Sequence, residues 1–200
     1  MKKIFFDVGA NDGRDSIHIA NDPNWLVYGF EPTPYLINKI KGQIKNKPNY
    51  TLIEKAVSNF IGTSQFNIAG QRDWGCSSLL EFSDKSRTEW PGRTDFKVTE
   101  TIQVDVITLE KFIEENQIST IDFLHIDTQG SDLNVLKGLG SYIDIVKAGV
   151  LEAANKPDIL YFNQNTKEDC VNFLQEKGFT IKNIRNNDPY SNEINIEFGK

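Results

Sequence analysis

The sequence has few cysteines, no long apolar run and no excess of basic residues. Cys76 and Cys170 lie far apart and show no metal-ligand spacing, so we expect two reduced, unpaired thiols. No stretch approaches the length needed to span a bilayer, and only three apolar residues precede Asp7 at the N-terminus, too few for a signal peptide. These absences predict a cytoplasmic protein with no membrane segment.

The charge balance is acidic. The chain has 200 residues, with 22 Lys and Arg against 28 Asp and Glu, and a net charge of −6. A protein that holds nucleic acid by general attraction to phosphate needs a basic face, so we expect no nucleic-acid partner. A small neutral or sugar-like substrate is compatible with this charge. The length fits one domain over residues 1–200, without internal repeats or low-complexity tracts, and leaves the oligomeric state open.

Strand-like runs and helical patterns alternate along the chain, which is typical of a doubly wound α/β fold with a parallel sheet. The predicted strands cover residues 3–7, 26–30, 50–57, 121–126 and 145–151, with closing strands at 179–184 and 193–198. The predicted helices cover 14–20, 109–116 and 167–177, with others opening at Pro32 and after Gly130. We also expect a hairpin over 58–69, a long loop over 70–93 and an accessory strand over 99–106.

The first strand runs straight into the loop Asp7-Val-Gly-Ala-Asn-Asp-Gly13, and the second strand ends at Glu31. Gly9 has no Cβ, so the backbone there can approach a ligand closely. An acidic residue at the tip of the next strand can accept both hydrogen bonds of a ribose diol. In the nicotinamide-binding fold that acid follows about 20 residues on, and Glu31 falls at a comparable distance. The pair indicates a nucleotide-type cofactor.

The same loop lacks the middle glycine of the dinucleotide pattern G-x-G-x-x-G, because Asn11 stands at that position. Asp7 and Asp12 would repel a pyrophosphate, whereas they would attract a sulfonium and an α-amino group. These features favour S-adenosylmethionine over a dinucleotide. The alternative, an ordinary strand-to-helix turn, requires the position of Glu31 to be a coincidence.

Five sequence blocks together resemble the FkbM-type S-adenosylmethionine-dependent methyltransferases. They are FFDVGANDG at 5–13, YGFEPTP at 28–34, EKAVSN at 54–59, VDVITLEKF at 104–112 and IDFLHIDTQGSDLNVLKG at 121–138. The resemblance implies a Rossmann-like sheet of seven mostly parallel strands with an antiparallel C-terminal strand. It also implies transfer of a methyl group to oxygen, commonly a hydroxyl of a sugar, glycan or related small metabolite.

The resemblance also assigns roles to residues. Glu31 matches the ribose-binding acid, and Asp127 matches the acid after strand four, close to the methionine moiety and the reacting centre. The other positions expected to contact the cofactor are Asp7, Gly9, Ala10, Asn11, Gly13, Pro32, Ala56, Val57 and Ser58. The chain departs from the family in having Gln129 where a Glu is common. It also has Ala154 where strand five often ends in a His, which leaves that base without a counterpart.

A sugar hydroxyl is a poor nucleophile, so a group should remove or polarise its proton. In one arrangement Asp127 or His125 is the general base, since alternation within a strand would point both side chains to the same face. The alternative is that His125 is a packed strand residue. In a second arrangement Asp127, Glu152 and Asn155 bind Mg²⁺ or Mn²⁺, which lowers the pKa of the hydroxyl. Acidic strand tips also bind cofactor without metal, so both arrangements stay open.

The 70–93 loop is the expected acceptor pocket. Trp74, Ser77 and Ser78 offer an aromatic face and two hydroxyls to a sugar, and Trp90 and Arg93 are further candidates. The alternative is that the tryptophans are core residues that hold the loop down. A nucleic-acid methyltransferase, a non-catalytic cofactor-binding protein and a nicotinamide oxidoreductase are the rival functions. The sequence leaves the acceptor and the methylated position open.

Overall fold

The computed structural model describes residues 2–70, 74–94, 96–187, 189–190 and 192–200, and of residue 74 it describes the backbone alone. The strands are β1 (Lys3–Val8), β2 (Trp25–Phe30), β3 (Tyr50–Ile53), β4 (Ala56–Val57), β5 (Gly62–Ala69), β6 (Val98–Ile107), β7 (Phe123–Ile126), β8 (Ala148–Ala154), β9 (Thr180–Asn186) and β10 (Glu193–Gly199). The α-helices are α1 (Pro34–Gln43), α2 (Ser86–Glu89), α3 (Leu109–Asn116), α4 (Asp132–Lys137) and α5 (Lys167–Glu176). Short 3₁₀ helices cover Ile19–Asn21, Trp74–Cys76 and Gly140–Ile145.

Seven strands form the main sheet in the order β3-β2-β1-β7-β8-β10-β9. β10 runs antiparallel to both of its neighbours, and the other pairings are parallel. The α/β fold, with a mostly parallel sheet and an antiparallel C-terminal strand, is therefore confirmed. The strand order reverses between β1 and β7, and in open sheets of this kind ligands bind at the carboxyl ends of the strands beside that point.

The central strands are buried on both faces, as expected for a parallel sheet. Phe6 and Leu124 pack with Leu109 of α3 and Leu136 of α4 on one face, in the largest apolar cluster. On the other face Ile40 of α1 packs in a cluster below β1 and β2. Each large apolar side chain buried in this way contributes roughly 1.5–3 kcal/mol. Packing on both faces thus fixes the strands whose ends carry the loops after β1, β2 and β7.

A second sheet, in the order β4-β6-β5, corrects two predictions. Residues 58–69 do not form a hairpin of their own, because β5 pairs antiparallel with the accessory strand β6. The predicted strand over 50–57 divides into β3 in the main sheet and β4 in the small sheet. Alternate apolar residues of β5 and β6, such as Phe66 and Val104, bury one another in a separate cluster, which accounts for this pairing.

The predicted helix over 14–20 is wrong. These residues form turns followed by the 3₁₀ helix Ile19–Asn21. The segment is short and contains two β-branched isoleucines, an Asp and a Ser, all of which favour helix weakly. It still buries Ala20 in the cluster below β1. No helix in the described part of the chain is long and apolar enough to cross a membrane.

Candidate functional site

The loop after β1 lies directly against the end of β7. Gly9 has φ +86°, and a Cβ added to it would lie 1.9 Å from the carbonyl oxygen of Asp127. The Gly9 and Ala10 amides both donate to the carbonyl oxygen of Phe30, at 3.1 and 2.9 Å. Only glycine fits this conformation and this contact. The loop therefore joins the carboxyl ends of β1, β2 and β7.

Glu31, at the tip of β2, is held by two backbone amides. Its Oε2 accepts from Asn11 N at 2.9 Å, and its Oε1 accepts from Thr33 N at 2.8 Å. Burial raises the pKa of Glu31 to about 7, although the bonds from Thr33 and Asn11 oppose that rise. Each carboxylate oxygen has two lone pairs, so both oxygens retain capacity for a further donor.

A cavity opens above these strand ends, between the main sheet and the small sheet. It contains about 540 Å³ of empty space, part of it open to solvent. Six residues predicted to contact the cofactor line it, together with Asp127: Gly9, Asn11, Glu31, Pro32, Ala56 and Val57. The structure therefore brings together residues that lie far apart in the sequence.

Three predicted residues lie behind the cavity wall. Ala10 is buried in the cluster below β1. Gly13 has φ +79°, and an added Cβ would collide with the side chain of Ile17. The Ser58 amide donates to the carbonyl oxygen of Ile107 at 3.1 Å. These positions shape the loops that reach the cavity rather than its surface.

The expectation that Asp7 and Asp12 attract the positively charged groups of the cofactor is corrected by the structure. Asp7 is fully buried and its Oδ1 lies 2.7 Å from Nδ1 of His125. Asp12 forms ion pairs with Arg14 and Lys39, both at 3.0 Å. The hydrogen bond from Arg14 lowers the pKa of Asp12 most strongly. The carboxylates that face the cavity are instead those of Glu31 and Asp127.

His125 is likewise placed away from the cavity. Its side chain lines a groove on one face of the sheet, with Phe5, Trp25 and Phe123 around it. Burial disfavours protonation of His125, but the hydrogen bond and charge of Asp7 outweigh it and raise the pKa to about 9. β7 ends at Ile126, so the alternation of side chains does not extend to Asp127. The expected role of His125 as a general base therefore lacks support from this geometry.

The side-chain amide of Gln129 bridges Asp127 and Glu152, where one of the two predicted arrangements places a metal ion. Nε2 of Gln129 donates to Asp127 Oδ1 at 2.7 Å and to Glu152 Oε2 at 2.9 Å. Asn155 lines a separate groove beside α5. Among the described residues, no group of three or more His, Cys, Asp or Glu side chains is placed to hold a metal ion. The predicted ligand set of Asp127, Glu152 and Asn155 is therefore not assembled.

Buried acids surround this amide. Burial raises the pKa of Glu152 well above its ordinary value, and the nearby charge of Asp127 adds to the rise. Burial also raises the pKa of Asp127, against the hydrogen bond from Gln129. Asp132, in the first turn of α4, has a pKa of about 8 for the same reason, with the charge of Asp127 next in importance. The site therefore holds acids whose ordinary ionisation is disfavoured, as proton-transfer sites often do.

The 70–93 segment contributes one of its predicted residues directly. Ser77 lines the cavity, and its Oγ accepts from Ala69 N at 3.1 Å. Ser78 is buried, and its Oγ donates to the carbonyl oxygen of Gln129 at 2.7 Å. The side chain of Trp74 lies outside the described part. Trp90 packs edge-on against Phe96 in a buried cluster, which agrees with its alternative interpretation as a core residue.

Residues 7–181 match a profile of the methyltransferase FkbM domain, which is most of the chain. The chain belongs to the FkbM methyltransferase domain family. This FkbM domain is also 22% identical, over 140 residues, to the 2-O-methyltransferase NoeI of Sinorhizobium fredii (strain NBRC 101917 / NGR234). The match covers 68% of this chain and 56% of NoeI.

Two solved structures share the fold of this FkbM domain. Fibrillarin of Aeropyrum pernix, with S-adenosyl-L-methionine natively bound, has a TM-score of 0.55 at 11% identity, over 98% of this chain and 66% of that chain. M. capricolum TrmK, in complex with S-adenosylhomocysteine, has a TM-score of 0.53 at 11% identity, over 100% of this chain and 62% of that chain. Identities this low establish the fold alone. The chain spans roughly three fifths of the length of these relatives.

The sequence reasoning missed several residues of the FkbM-domain cavity. Phe66 and Leu79 reach it from the small sheet and the segment after it, and Thr33 and Thr128 follow β2 and β7. The apolar pair carried no signal, because their approach depends on the pairing of β5 with β6. Thr33 directly follows Pro32 and Thr128 directly follows Asp127, so their place beside recognised positions was the available signal.

Proposed function

We propose that this FkbM domain is an S-adenosylmethionine-dependent O-methyltransferase that acts on a hydroxyl of a sugar, glycan or related small metabolite. The observation that carries the proposal is the Glu31 carboxylate at the cavity wall, held by the amides of Asn11 and Thr33. The family match supports methyl transfer. The ligands named for fibrillarin and TrmK support the identity of the donor.

The residues around the cavity fit such a donor. Glu31 would accept the ribose hydroxyls, and Ala56 and Val57 offer an apolar wall to the adenine. Thr33 also lines this wall, and its side chain, as a hydrogen-bond partner of Glu31, opposes the rise in the pKa of that carboxyl. S-adenosylmethionine supplies an electrophilic methyl group on a positively charged sulfur when bound.

Asp127 is the general base in this proposal. It stands at the end of β7 beside the cavity, and its Oδ1 is held by Gln129, so we assign the accepting role to Oδ2. Its pKa is raised by burial, which brings it closer to that of a working base at neutral pH. Alignment of the acceptor hydroxyl with the methyl group lowers the activation barrier by roughly a further 7–11 kcal/mol.

The acceptor enters on the side formed by the segment around residues 75–79. Gly75, Ser77 and Leu79 line the cavity there, and they combine a close backbone approach, a hydroxyl and an apolar surface. This mixture suits a sugar, which presents both hydroxyls and C–H faces. The name of NoeI, a 2-O-methyltransferase, favours oxygen as the atom that receives the methyl group.

The test is transfer of an isotope-labelled methyl group from S-adenosylmethionine to a panel of methyl glycosides, with the products identified by mass spectrometry. We expect a labelled O-methyl ether with at least one glycoside. Asp127→Asn should reduce its formation by about 10²–10⁴-fold, because general bases typically contribute that much. Asp84→Asn, outside the cavity, serves as the control. Label on nitrogen or carbon alone would contradict the proposal, and tight donor binding with no turnover on any hydroxyl acceptor would favour a non-catalytic cofactor-binding protein.

The amide bridge between Asp127 and Glu152 leads us to propose transfer without a resident divalent cation. We expect full activity on the acceptor in the presence of EDTA, and no increase on addition of Mg²⁺ or Mn²⁺. Loss of activity in EDTA, restored by either ion, would contradict this and revive the metal arrangement.

A further inference from the structure

Gln129 stands where the two sides of the cavity meet. It is a non-glycine residue with φ +56°, a left-handed conformation that costs about 1–3 kcal/mol unless the surroundings hold it. Its side chain and its carbonyl oxygen make hydrogen bonds to nearby Asp127 and to three groups from distant parts of the chain, those of Ser78, Glu152 and Tyr161. The side chain of Gln129 has every hydrogen-bonding group engaged although its backbone is strained. This indicates a role for the residue beyond forming the turn.

The amide nitrogen of Gln129 faces the acids. Both of its hydrogens are used, one toward Asp127 Oδ1 at 2.7 Å and one toward Glu152 Oε2 at 2.9 Å. In this orientation the amide hydrogens face the two acids, and the opposite assignment would set the amide oxygen against them wherever both are ionised. The amide thus separates two acids that repel each other, and it fixes the rotation of the Asp127 carboxylate without adding charge.

The oxygens of Gln129 face the acceptor side. Oε1 lies 3.0 Å from the Tyr161 hydroxyl, which also lies 2.8 Å from the carbonyl oxygen of Cys76. The backbone carbonyl of Gln129 accepts from Ser78 Oγ at 2.7 Å. Cys76 and Ser78 alternate with Gly75, Ser77 and Leu79, which line the cavity. The acceptor side is therefore anchored to Gln129 at two points.

Tyr161 is itself rigidly placed. It is 1% exposed, and its ring stacks on Phe82 with the centroids 5.1 Å apart. A Cβ added to Gly130 would lie 2.9 Å from the Tyr161 ring, so the residue after Gln129 must be small for the ring to fit. The single hydroxyl hydrogen of Tyr161 is thus shared between Gln129 Oε1 and the carbonyl oxygen of Cys76.

We propose that Gln129 is a positioning residue for the acceptor: it orients the Asp127 carboxylate through its amide nitrogen and holds residues 74–82 against the cavity through its oxygens. The inference rests on the proposed function. Beyond that function, the Gln129 side chain sets the geometry of both the base and the acceptor pocket, and Tyr161 holds that side chain in place.

The test uses variants that break one side of Gln129 at a time, with S-adenosylhomocysteine as the probe. Tyr161→Phe removes the hydroxyl that joins Gln129 Oε1 and the Cys76 carbonyl, and it leaves the bonds from Gln129 to the acids. Gln129→Glu keeps an acceptor for Tyr161 but sets a third carboxylate against Asp127 and Glu152. Gln129→Met removes the side-chain bonds on both sides and leaves the backbone bond from Ser78. Tyr28→Phe, in the aromatic cluster around Phe6, and Gln103→Met, whose exposed amide donates to Thr63, are the matched controls.

Two readouts are measured: amide hydrogen exchange over residues 74–82, and calorimetric affinity for S-adenosylhomocysteine. We expect Tyr161→Phe to speed exchange about fivefold, the equivalent of one hydrogen bond, with affinity within twofold of wild type. Gln129→Glu should do the reverse, with exchange within twofold and affinity reduced at least fivefold. Gln129→Met should change both, and the controls neither.

Changes in both readouts together for every variant would indicate a merely structural residue and would overturn the inference, as would unchanged exchange in Tyr161→Phe. Failure of the wild-type protein to bind S-adenosylhomocysteine would instead count against the proposed function. The two failures are distinguishable, because hydrogen exchange in Tyr161→Phe is compared with Tyr28→Phe without any ligand.

Discussion

At the scale of single residues, the same carboxylate group has different roles according to its partners. Asp7 and Asp12 belong to the loop that indicated a cofactor, yet one pairs with His125 and the other with Arg14 and Lys39. Glu31 faces the cavity with backbone amides as its partners. Composition of the loop could not separate these roles, because the partner of Asp7 comes from β7 and one partner of Asp12, Lys39, comes from α1.

Glu31 gives the sharpest prediction for donor binding. Glu31→Gln should weaken binding of S-adenosylhomocysteine about 10–100-fold, because hydrogen bonds to a charged group are worth roughly 1.5–3 kcal/mol. The new amide would also point a donor at Asn11 N or Thr33 N. Glu54→Gln, whose exposed carboxylate pairs with Lys41 at 2.5 Å, is the control. If calorimetry gives Glu31→Gln and Glu54→Gln the same affinity for S-adenosylhomocysteine, Glu31 does not bind the ribose.

The Asp7–His125 pair predicts how stability depends on pH. The pKa of His125 is raised to about 9, so the folded state binds its proton more tightly than the unfolded state does. The contribution, on the order of 3 kcal/mol, is fully present below pH 6.5 and is lost as the pH rises through 9. We expect the free energy of unfolding in urea to fall over this range in wild type.

Asp7→Asn should flatten that slope, because the neutral amide no longer favours the protonated ring. The control is His18→Gln, which changes the other histidine, on an exposed turn. A wild-type slope that persists unchanged in Asp7→Asn would show that other groups cause it.

At the scale of elements, regular segments were predicted best. The helix over 109–116 has the predicted bounds, and Thr108 caps it by accepting from Lys111 N at 3.2 Å. The helix over 167–177 matches α5, which opens with a capping box between Thr166 and Asp169. Such signals are local. The pairing of β5 with β6 is not, because its register joins Gly62 to Val106 across a long intervening segment.

The loop after β1 gives a prediction at this scale. Gly9→Ala forces a Cβ into the carbonyl of Asp127 at a positive φ, so we expect a loss of roughly 2 kcal/mol or more and failure to bind S-adenosylhomocysteine. Gly42→Ala, in α1 with open space around its Cβ, should instead gain up to about 1 kcal/mol. Urea unfolding of both variants tests the difference, and a Gly9→Ala variant as stable as Gly42→Ala would contradict the close approach.

At the scale of the whole molecule, the charge of the chain bears on its partner. With a net charge of −6, we expect no retention on heparin at about 0.15 M salt and no salt-dependent binding of RNA. Lysozyme, a basic protein that the heparin column should retain, is the positive control. Retention that weakens steeply with added salt would favour a nucleic-acid methyltransferase over a sugar-directed enzyme.

The whole site was predictable in part. Residues next to glycine turns and strand tips, such as Glu31 and Asp127, were found because local patterns mark them. Phe66 and the bridging role of Gln129 were not, since they depend on how the small sheet and Tyr161 pack against the main sheet. Sequence patterns indicate the local structure of a residue's own segment. The acceptor side of this cavity is instead formed by contacts between segments that lie far apart in the sequence.

In our proposal the cavity at the ends of β1, β2 and β7 binds the methyl donor. The decisive measurement is a crystal structure of the protein with S-adenosylhomocysteine. We expect ribose hydroxyls within hydrogen-bonding distance of the Glu31 carboxylate, adenine against Ala56 and Val57, and the sulfur facing Asp127 and residues 75–79. Ligand bound in the groove beside His125, or with its ribose away from Glu31, would show that the donor site is wrongly assigned.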